Sequence, residues 1–163
     1  MLLKYDTDAL KGVKGLTLVS MLIALSAVGA MVKLFNTVAL DSTPGYFAAL
    51  YLGAWYGAIV ISLGHLLTAF TSGFPLGIFI HIYIAIQMAI YACLFRYCYE
   101  RFNSLVGILA ATLLNGPLAA LLLVPIFGWG FFLGWSLPLS FGSFVNIFLA
   151  ALIYKGMDKV GGR

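Results

Sequence analysis

The chain has 163 residues, of which 63% are hydrophobic and only 9% charged, with a formal net charge of +4. Soluble globular domains average about 25% charged residues, so this composition excludes an ordinary soluble domain and a disordered chain. The composition indicates an integral membrane protein, and we expect a single transmembrane domain over residues 1–163.

Three long tracts carry the apolar residues: Leu16 to Val32, Leu34 to Phe95 and Phe102 to Tyr154. Asp41 is the one charged residue inside them. At about 20 residues per transmembrane helix, the tracts predict five or six crossings, at least one of them short. We expect the first apolar run to stay in the protein as a helix and not to be cleaved as a signal peptide.

The positions of the basic residues favour six crossings. Eight of the nine basic residues fall on one side of a six-helix arrangement, and the positive-inside rule makes that side the cytoplasm. Both termini are therefore predicted to be cytoplasmic. These eight residues are Lys4, Lys11, Lys14, Arg96, Arg101, Lys155, Lys159 and Arg163.

The first predicted helix covers about residues 15–35 and is followed by an outer loop over residues 36–43. The stretch from Pro44 to Ser72 is too short for two full spans. It predicts a short helix 2 over residues 44–53 and a longer helix 3 over residues 56–70, with a break near Gly53 to Gly57. Such a break at membrane depth is tolerated inside protein or beside a polar cavity.

Three further helices are predicted after the turn at residues 72–75. They cover about residues 75–99, 105–124 and 135–155, and Gly116-Pro117 is expected to kink the second of them. Residues 125–134 are predicted to form an aromatic, glycine-rich outer loop. The predicted fold class is an all-α integral membrane protein: a six-helix transmembrane bundle with a short helix 2.

Several kinds of chemistry find no support in the sequence. There is no G-x-x-x-x-G-K-[ST] loop for ATP hydrolysis. Cys93 and Cys98 are five apart and are expected to be ordinary reduced cysteines. His65 and His81 lie on different helices without a metalloenzyme motif, and we interpret them as hydrogen-bonded interior histidines. We expect no cofactor, no metal and no nucleic-acid partner.

Polar residues at helical spacing interrupt the apolar helices. Helix 6 carries one polar stripe and helix 4 another, and Asn115 lies beside the predicted kink. Polar contacts between helices would explain any one of these residues. Together with the nearby Trp129 and Trp135 they favour a pocket for a flat, neutral heterocycle, possibly with a sugar. The stripes are Ser136, Ser140, Ser143 and Asn146 on helix 6, and Tyr83, Gln87 and Tyr91 on helix 4.

Small residues lie four apart on helix 1, at Ser20 and Ala24 and again at Ser26 and Ala30, with Ala27 between the last two. Gly53 and Gly57 make a further G-x-x-x-G pair. Such spacing lets helices approach closely, either within the chain or against another membrane protein. The sequence leaves both alternatives open.

In this order of elements the chain resembles the substrate-binding S components of energy-coupling factor (ECF) vitamin transporters. The similarity rests on LIALSAVGA in helix 1, on Asp41-Ser42-Thr43-Pro44 at the end of the outer loop, and on GYFAALYLGAWYGAIVISLGHLL in helices 2 and 3. It covers nearly the whole chain.

The resemblance implies a prokaryotic plasma-membrane protein that captures a vitamin or precursor from outside. It also implies docking, through helix 1 and its neighbours, onto a transmembrane T component coupled to two ATPases. The residues expected to dock are Ser20, Ala24, Ala27 and Ala30. The residues expected to bind substrate are Asn36, Asp41, His81, Tyr83, Gln87, Asn115, Trp129, Trp135, Ser143 and Asn146.

The block VALDSTPGYFAALYLG, with GHLLTAF and SGFPLG, looks most like the subgroup linked to alpha-ribazole, a cobalamin precursor. The chain lacks the N-terminal Met-His segment of the nickel and cobalt S components. It offers little charge for an ionic ligand, which suits a neutral nucleoside-like molecule. Riboflavin, a pyrimidine precursor and pantothenate stay open as alternatives.

Asp41 has two interpretations. It is expected to stabilise helix 2, as a residue near the N-cap or as a partner of Lys33, or to accept hydrogen bonds from substrate hydroxyls.

Two other classes of function also stay open. One is a small intramembrane enzyme using His65, His81 and Asp41, which requires these side chains to converge. The other is a membrane scaffold or channel subunit without transport activity.

Overall fold

The structure is a computed structural model that describes the backbone of residues 13–31, 33–34 and 38–161, and the side chains of residues 13–31 and 39–157. The described residues are helical apart from turns and one short hairpin. The helices are α1 (Val13–Gly29), α2 (Thr43–Tyr51), α3 (Ala54–Thr71), α4 (Ile78–Arg101), α5 (Ser104–Leu113), α6 (Ala119–Leu121), α7 (Val124–Phe127) and α8 (Trp129–Gly161). The hairpin pairs β1 (Lys33–Leu34) with β2 (Val38–Ala39) in antiparallel register.

These elements form six helical segments within the described part of the chain. Four are long and apolar enough to cross a membrane: Ala54–Thr71, Ile78–Arg101, Ser104–Phe127 and Trp129–Met157. The other two are α1, with 17 residues, and α2, with nine. This arrangement confirms the predicted helical membrane bundle with a short second helix.

The predicted break between helices 2 and 3 lies at Leu52 and Gly53. Gly53 has a φ of 123°, a conformation that glycine adopts without the steric cost that a Cβ would bring. The chain reverses there, and α3 packs back along α2. Gly57 allows this close approach, because a Cβ at this position would overlap Ala49 of α2.

Helix α2 lies at the centre of the bundle. All its residues from Pro44 to Leu50 are buried. Residues of other helices hold both of its ends. Asn146 of α8 accepts hydrogen bonds from backbone N–H groups at its start, and the Arg96 guanidinium of α4 donates to the Ala49 carbonyl near its end, at 2.8 Å. Cations near helix C-termini and acceptors at helix N-termini complement the helix dipole.

The predicted kink at Gly116-Pro117 is present as a π-helical turn over Leu114–Leu118. Proline removes one backbone donor, and the wider turn accommodates this loss. Gly116 also lets the turn approach α8, since a Cβ there would lie 2.6 Å from the Ser140 hydroxyl.

Two predicted boundaries are wrong. Helix 1 ends at Gly29 and not near residue 35, because the Gly29 carbonyl accepts a hydrogen bond from the Leu40 N–H (3.1 Å) and the chain folds back on itself. Residues 129–134 are helical and not part of an outer loop. Gly128, with a φ of 77°, makes the turn after α7 by itself, and α8 begins at the next residue.

Candidate ligand-binding site

The structure contains a cavity of about 350 Å³. Its wall is formed by the segment between β2 and α2, by α3, by α4 and the turn before it, by the π-helical turn, and by α8. Pockets for small organic ligands are typically about 300–1,000 Å³ and mostly apolar. The cavity wall is also mostly apolar, and a few polar groups converge on it.

Six of the ten predicted substrate-binding residues line this cavity. They come from distant parts of the sequence, and the fold brings them together. These six are Asp41, His81, Asn115, Trp135, Ser143 and Asn146.

Two pairs of polar side chains in the cavity wall are each joined by a hydrogen bond. The Asn115 side chain in the π-helical turn donates from Nδ2 to the Ser143 hydroxyl of α8, at 2.9 Å. His81 Nδ1 and His65 Nε2 are 3.3 Å apart. The first pair leaves the Asn115 amide oxygen as an acceptor for a ligand, since only its amide nitrogen serves Ser143.

The hydrogen bonds assign proton positions in the histidine pair. The Leu76 backbone N–H donates to His81 Nε2 at 3.4 Å, so the neutral His81 ring carries its proton on Nδ1. That proton points at His65 Nε2, which makes His65 the acceptor and places its own proton on Nδ1. The pair therefore ties the turn before α4 to α3 by directed hydrogen bonds.

Asp41 is half-buried at the edge of the cavity, two residues before the start of α2. Its carboxylate accepts a hydrogen bond from the Ser42 hydroxyl at 3.1 Å. Burial raises the pKa of this carboxyl above its ordinary value, and hydrogen bonds from Ser42 and Thr68 offset part of that rise. No lysine, arginine or glutamate side chain among the described residues lines the cavity, so Asp41 is the one carboxylate that a ligand meets there.

Asn146 borders the cavity, but its amide is occupied by the protein. Its Oδ1 accepts from the backbone N–H groups of Ser42 (3.2 Å) and Thr43 (2.9 Å) and from the Thr43 hydroxyl (2.8 Å). Its Nδ2 donates to the carbonyls of Ala39 and Gly142, both at 2.9 Å. A ligand would have to displace one of these bonds to reach the amide.

This arrangement corrects the expectation that Asp41 caps α2. Ser42 is the N-cap residue, and its side chain makes no capping hydrogen bond. Asn146 supplies the cap across more than a hundred residues of sequence. The predicted pairing of Asp41 with Lys33 involves a side chain outside the described set.

An aromatic wall forms part of the cavity lining. Phe131 and Trp135 line it from the first turns of α8, their ring centroids 6.1 Å apart and their planes inclined by 28°. Phe127 of α7, which lies outside the cavity wall, stacks on Phe131 with ring centroids 5.0 Å apart. Flat aromatic faces of this kind suit a planar ring system.

Three predicted binding residues with described side chains do not line the cavity. Tyr83 is 39% exposed and Trp129 is 65% exposed, where it packs edge-on against Phe132. Gln87 is buried but lies outside the cavity wall. Asn36 lies outside the described residues.

Tyr83 and Gln87 lie outside the cavity wall because of their angular positions around α4. His81, Ile84 and Met88, at spacings of three and four, face the cavity, whereas the polar stripe through Tyr83 and Gln87 is rotated away from it. A stripe of polar residues gave the periodicity of α4 but not the direction in which each side chain points.

Three residues that were not predicted to bind substrate also line the cavity: Ser42, His65 and Met88. One feature of the sequence could have indicated His65 as a site residue: it is a polar residue in a mostly apolar helix. Its convergence with His81 depends on how α3 pairs with α4, which a single sequence does not reveal.

The predicted docking residues of helix 1 are divided between two faces. Ser20 and Ala24 are exposed, and Ala27 is half-buried. Ala30 is buried inside the chain, on the side of α1 where Ser26 packs against Gly64 of α3. Ala30 therefore offers little surface to a partner, and docking through helix 1 stays a prediction.

No group of three or more histidine, cysteine, aspartate or glutamate side chains suited to a metal ion occurs among the residues with described side chains. Cys93 and Cys98 are free thiols, as expected. The two histidines do converge, so geometry alone does not remove the interpretation of the chain as an intramembrane enzyme.

Comparison with known proteins decides between these classes. Neither a search of curated proteins nor one of solved structures finds a match. Residues 14–157 match the family model described as "ECF transporter, substrate-specific component". Such components bind the substrate of a transporter and are not enzymes, which removes the enzyme alternative. With nearly its whole length matched, this multi-pass membrane protein belongs to the family of ECF transporter substrate-specific components.

Proposed function

We propose that this substrate-capture subunit of an ECF importer binds a neutral, nucleoside-like heterocycle in the cavity between α4 and α8, with alpha-ribazole as the first candidate. The observation that carries the proposal is that aromatic side chains and several hydrogen-bonding groups line one mostly apolar cavity. A molecule with a flat ring at one end and hydroxyl groups at the other can contact both kinds of group.

The size of the cavity supports this ligand class. At about 350 Å³ it lies near the lower end of the range for small organic ligands. A nucleoside of one fused ring system and one sugar is of suitable size, whereas a cobalamin or another large macrocycle is far too big.

The charge of the cavity supports a neutral ligand. An anionic ligand would meet the Asp41 carboxylate and no described lysine or arginine in the wall. A cationic ligand would find a single carboxylate, whose pKa burial has already raised. Hydroxyl groups suit the site better, because Asp41 and the Asn115 amide oxygen both accept hydrogen bonds.

The contacts divide the residues into two roles. We assign ring stacking to Trp135 and Phe131, and hydrogen bonding to Asp41, Asn115 and His65. Asn146 is assigned a positioning role, since its bonds hold the segment from Ala39 to Thr43 against α8. That segment then serves as the side of the cavity that the ligand contacts when it enters from outside.

After capture, the chain is proposed to dock onto a T component with two ATPase subunits and to release its ligand on the inside. Membership of the family supports this assembly. The exposed face of α1 at Ser20 and Ala24 supports close contact with another helix, because small side chains allow backbones to approach.

The test is identification of the ligand by native mass spectrometry of detergent-purified protein, followed by displacement with added alpha-ribazole. We expect a retained ligand with the mass of a nucleoside-like heterocycle, and competition by alpha-ribazole. A retained riboflavin, pyrimidine precursor or pantothenate would overturn the substrate assignment but keep the capture function. Protein that binds none of these compounds would contradict the proposal as a whole.

A further inference from the structure

Three buried polar side chains lie outside the cavity wall, one on α2 and two on α4. Tyr46 is fully buried, and Tyr91 and Gln87 are 5% and 6% exposed. Neither tyrosine hydroxyl, nor either polar atom of the Gln87 amide, has a hydrogen-bond partner within the described part of the chain. We call these three residues the Tyr46 cluster.

The members of the Tyr46 cluster lie close to one another. Gln87 and Tyr91 are four residues apart on α4 and therefore neighbours on one face. The Tyr46 ring packs edge-on against Phe95, one turn further along α4, with ring centroids 5.4 Å apart. Its hydroxyl is near enough to Tyr91 and to Asp41 to interact electrostatically with both.

The chemistry of the cluster restricts what can satisfy it. An amide and two hydroxyls supply several donors and several acceptors but carry no formal charge. Polar groups at membrane depth require hydrogen-bond partners, and the bilayer supplies none. An ion would meet no opposite charge in the cluster itself. Water is both a double donor and a double acceptor, and buried waters typically take two to four such partners.

We propose that the Tyr46 cluster is an internal water-binding site, which begins behind Asp41 at the edge of the cavity and extends between α2 and α4. The bound water connects the hydroxyls of Tyr46 and Tyr91 to the Gln87 amide. The site lies where α2 meets the bundle, so the water forms part of what holds α2 to α4.

X-ray hydroxyl-radical footprinting of the ligand-free full chain in lipid nanodiscs tests this proposal directly. Radiolysis of a bound water produces the radical in place, and it oxidises the tyrosine that the water contacts even when bulk solvent cannot reach it. We expect modification of both Tyr46 and Tyr91, although neither is more than 5% exposed. Two unmodified tyrosines would overturn the proposal.

Thermal unfolding of phenylalanine variants gives an independent readout. If water satisfies the hydroxyls, Tyr46→Phe and Tyr91→Phe each remove hydrogen bonds and lower the melting temperature by about 2–4 °C. If the hydroxyls are buried without a partner, the same variants raise it. Tyr97→Phe is the matched control and is expected to change nothing. Variants more stable than the wild type would also overturn the proposal. Neither experiment needs the transported ligand, so both are independent of the proposed function.

Discussion

The carboxylate of Asp41 lies half-buried at the edge of the cavity, and burial raises its pKa. A raised pKa means that the ionised form is less favourable in the folded protein than in the unfolded chain. This penalty is fully present above the folded-state pKa. It disappears as the pH falls through that value towards the ordinary value of 3.8, below which both states are protonated.

We therefore predict that Asp41→Asn raises the melting temperature of the ligand-free protein at neutral pH and that the gain vanishes at about pH 3.8. The same substitution is expected to weaken ligand binding, because an amide replaces a carboxylate that accepts hydrogen bonds from ligand hydroxyls. Melting curves at several pH values and a binding titration at neutral pH check the two effects. Unchanged ligand affinity in folded Asp41→Asn protein would remove Asp41 from the binding site.

Trp135 and Trp129 provide a matched pair for the aromatic wall. Both lie in the first turns of α8, but Trp135 lines the cavity and Trp129 is mostly exposed outside it. Stacking between a base and an aromatic side chain contributes roughly 1–3 kcal/mol. Trp135→Ala is therefore expected to weaken binding of alpha-ribazole about tenfold or more, and Trp129→Ala by less than about twofold. Isothermal titration of both variants measures the difference, and equal losses would contradict stacking on Trp135.

At the level of elements, α2 depends on a cap from a distant part of the chain. Its own N-cap residue, Ser42, leaves the first N–H groups to Asn146 of α8. Asn103 makes the corresponding bond locally at the start of α5, where its side chain accepts from the Val106 N–H at 2.9 Å. Both asparagines therefore cap the start of a helix, but only Asn146 lines the cavity.

We predict that Asn146→Ala destabilises the protein by at least about 2 kcal/mol, because it leaves the buried N–H group of Ser42 and the partly buried N–H group of Thr43 without their partner. Asn103→Ala is the control, and its expected cost is about 1 kcal/mol, typical of an exposed cap. Only Asn146→Ala is expected to weaken ligand binding, since it also frees the segment beside the cavity. Chemical denaturation and ligand titration of both variants check this. Equal effects on affinity would contradict the positioning role.

At the level of the whole molecule, the sequence determined the class of fold more fully than the site. Apolar tract lengths, the Gly53 break and Gly116-Pro117 were local signals, and the structure confirms each of them. No local signal in the sequence shows the direction in which each polar side chain points. Gln87 is buried outside the cavity wall and Asn146 caps the start of α2, because helix packing decides what each residue faces.

The exposed face of α1 leads to a prediction about assembly. Ala24→Trp places a large side chain on the exposed face without touching the cavity. We expect this variant to bind ligand normally as an isolated chain but to lose most co-purification with a T component and ATPase subunits. Ile86→Trp, on the exposed face of α4, is the control and is expected to retain both properties. Normal assembly of the Ala24→Trp protein would place the docking surface elsewhere.

Helix α2 is bonded to α8 at its first residues and to α4 near its last turn. At about 1.5 Å per residue, its nine residues span roughly 13 Å between these two attachments. Arg96, which holds the far end, is itself paired with Glu100 at 2.8 Å, beside the loop that the basic residues assign to the cytoplasm. A ligand that shifts the segment from Asp41 to Thr43 therefore moves the start of a short helix whose other end is bonded to Arg96. We expect ligand binding to change the surroundings of the loop after α4, which the sequence predicts to be cytoplasmic.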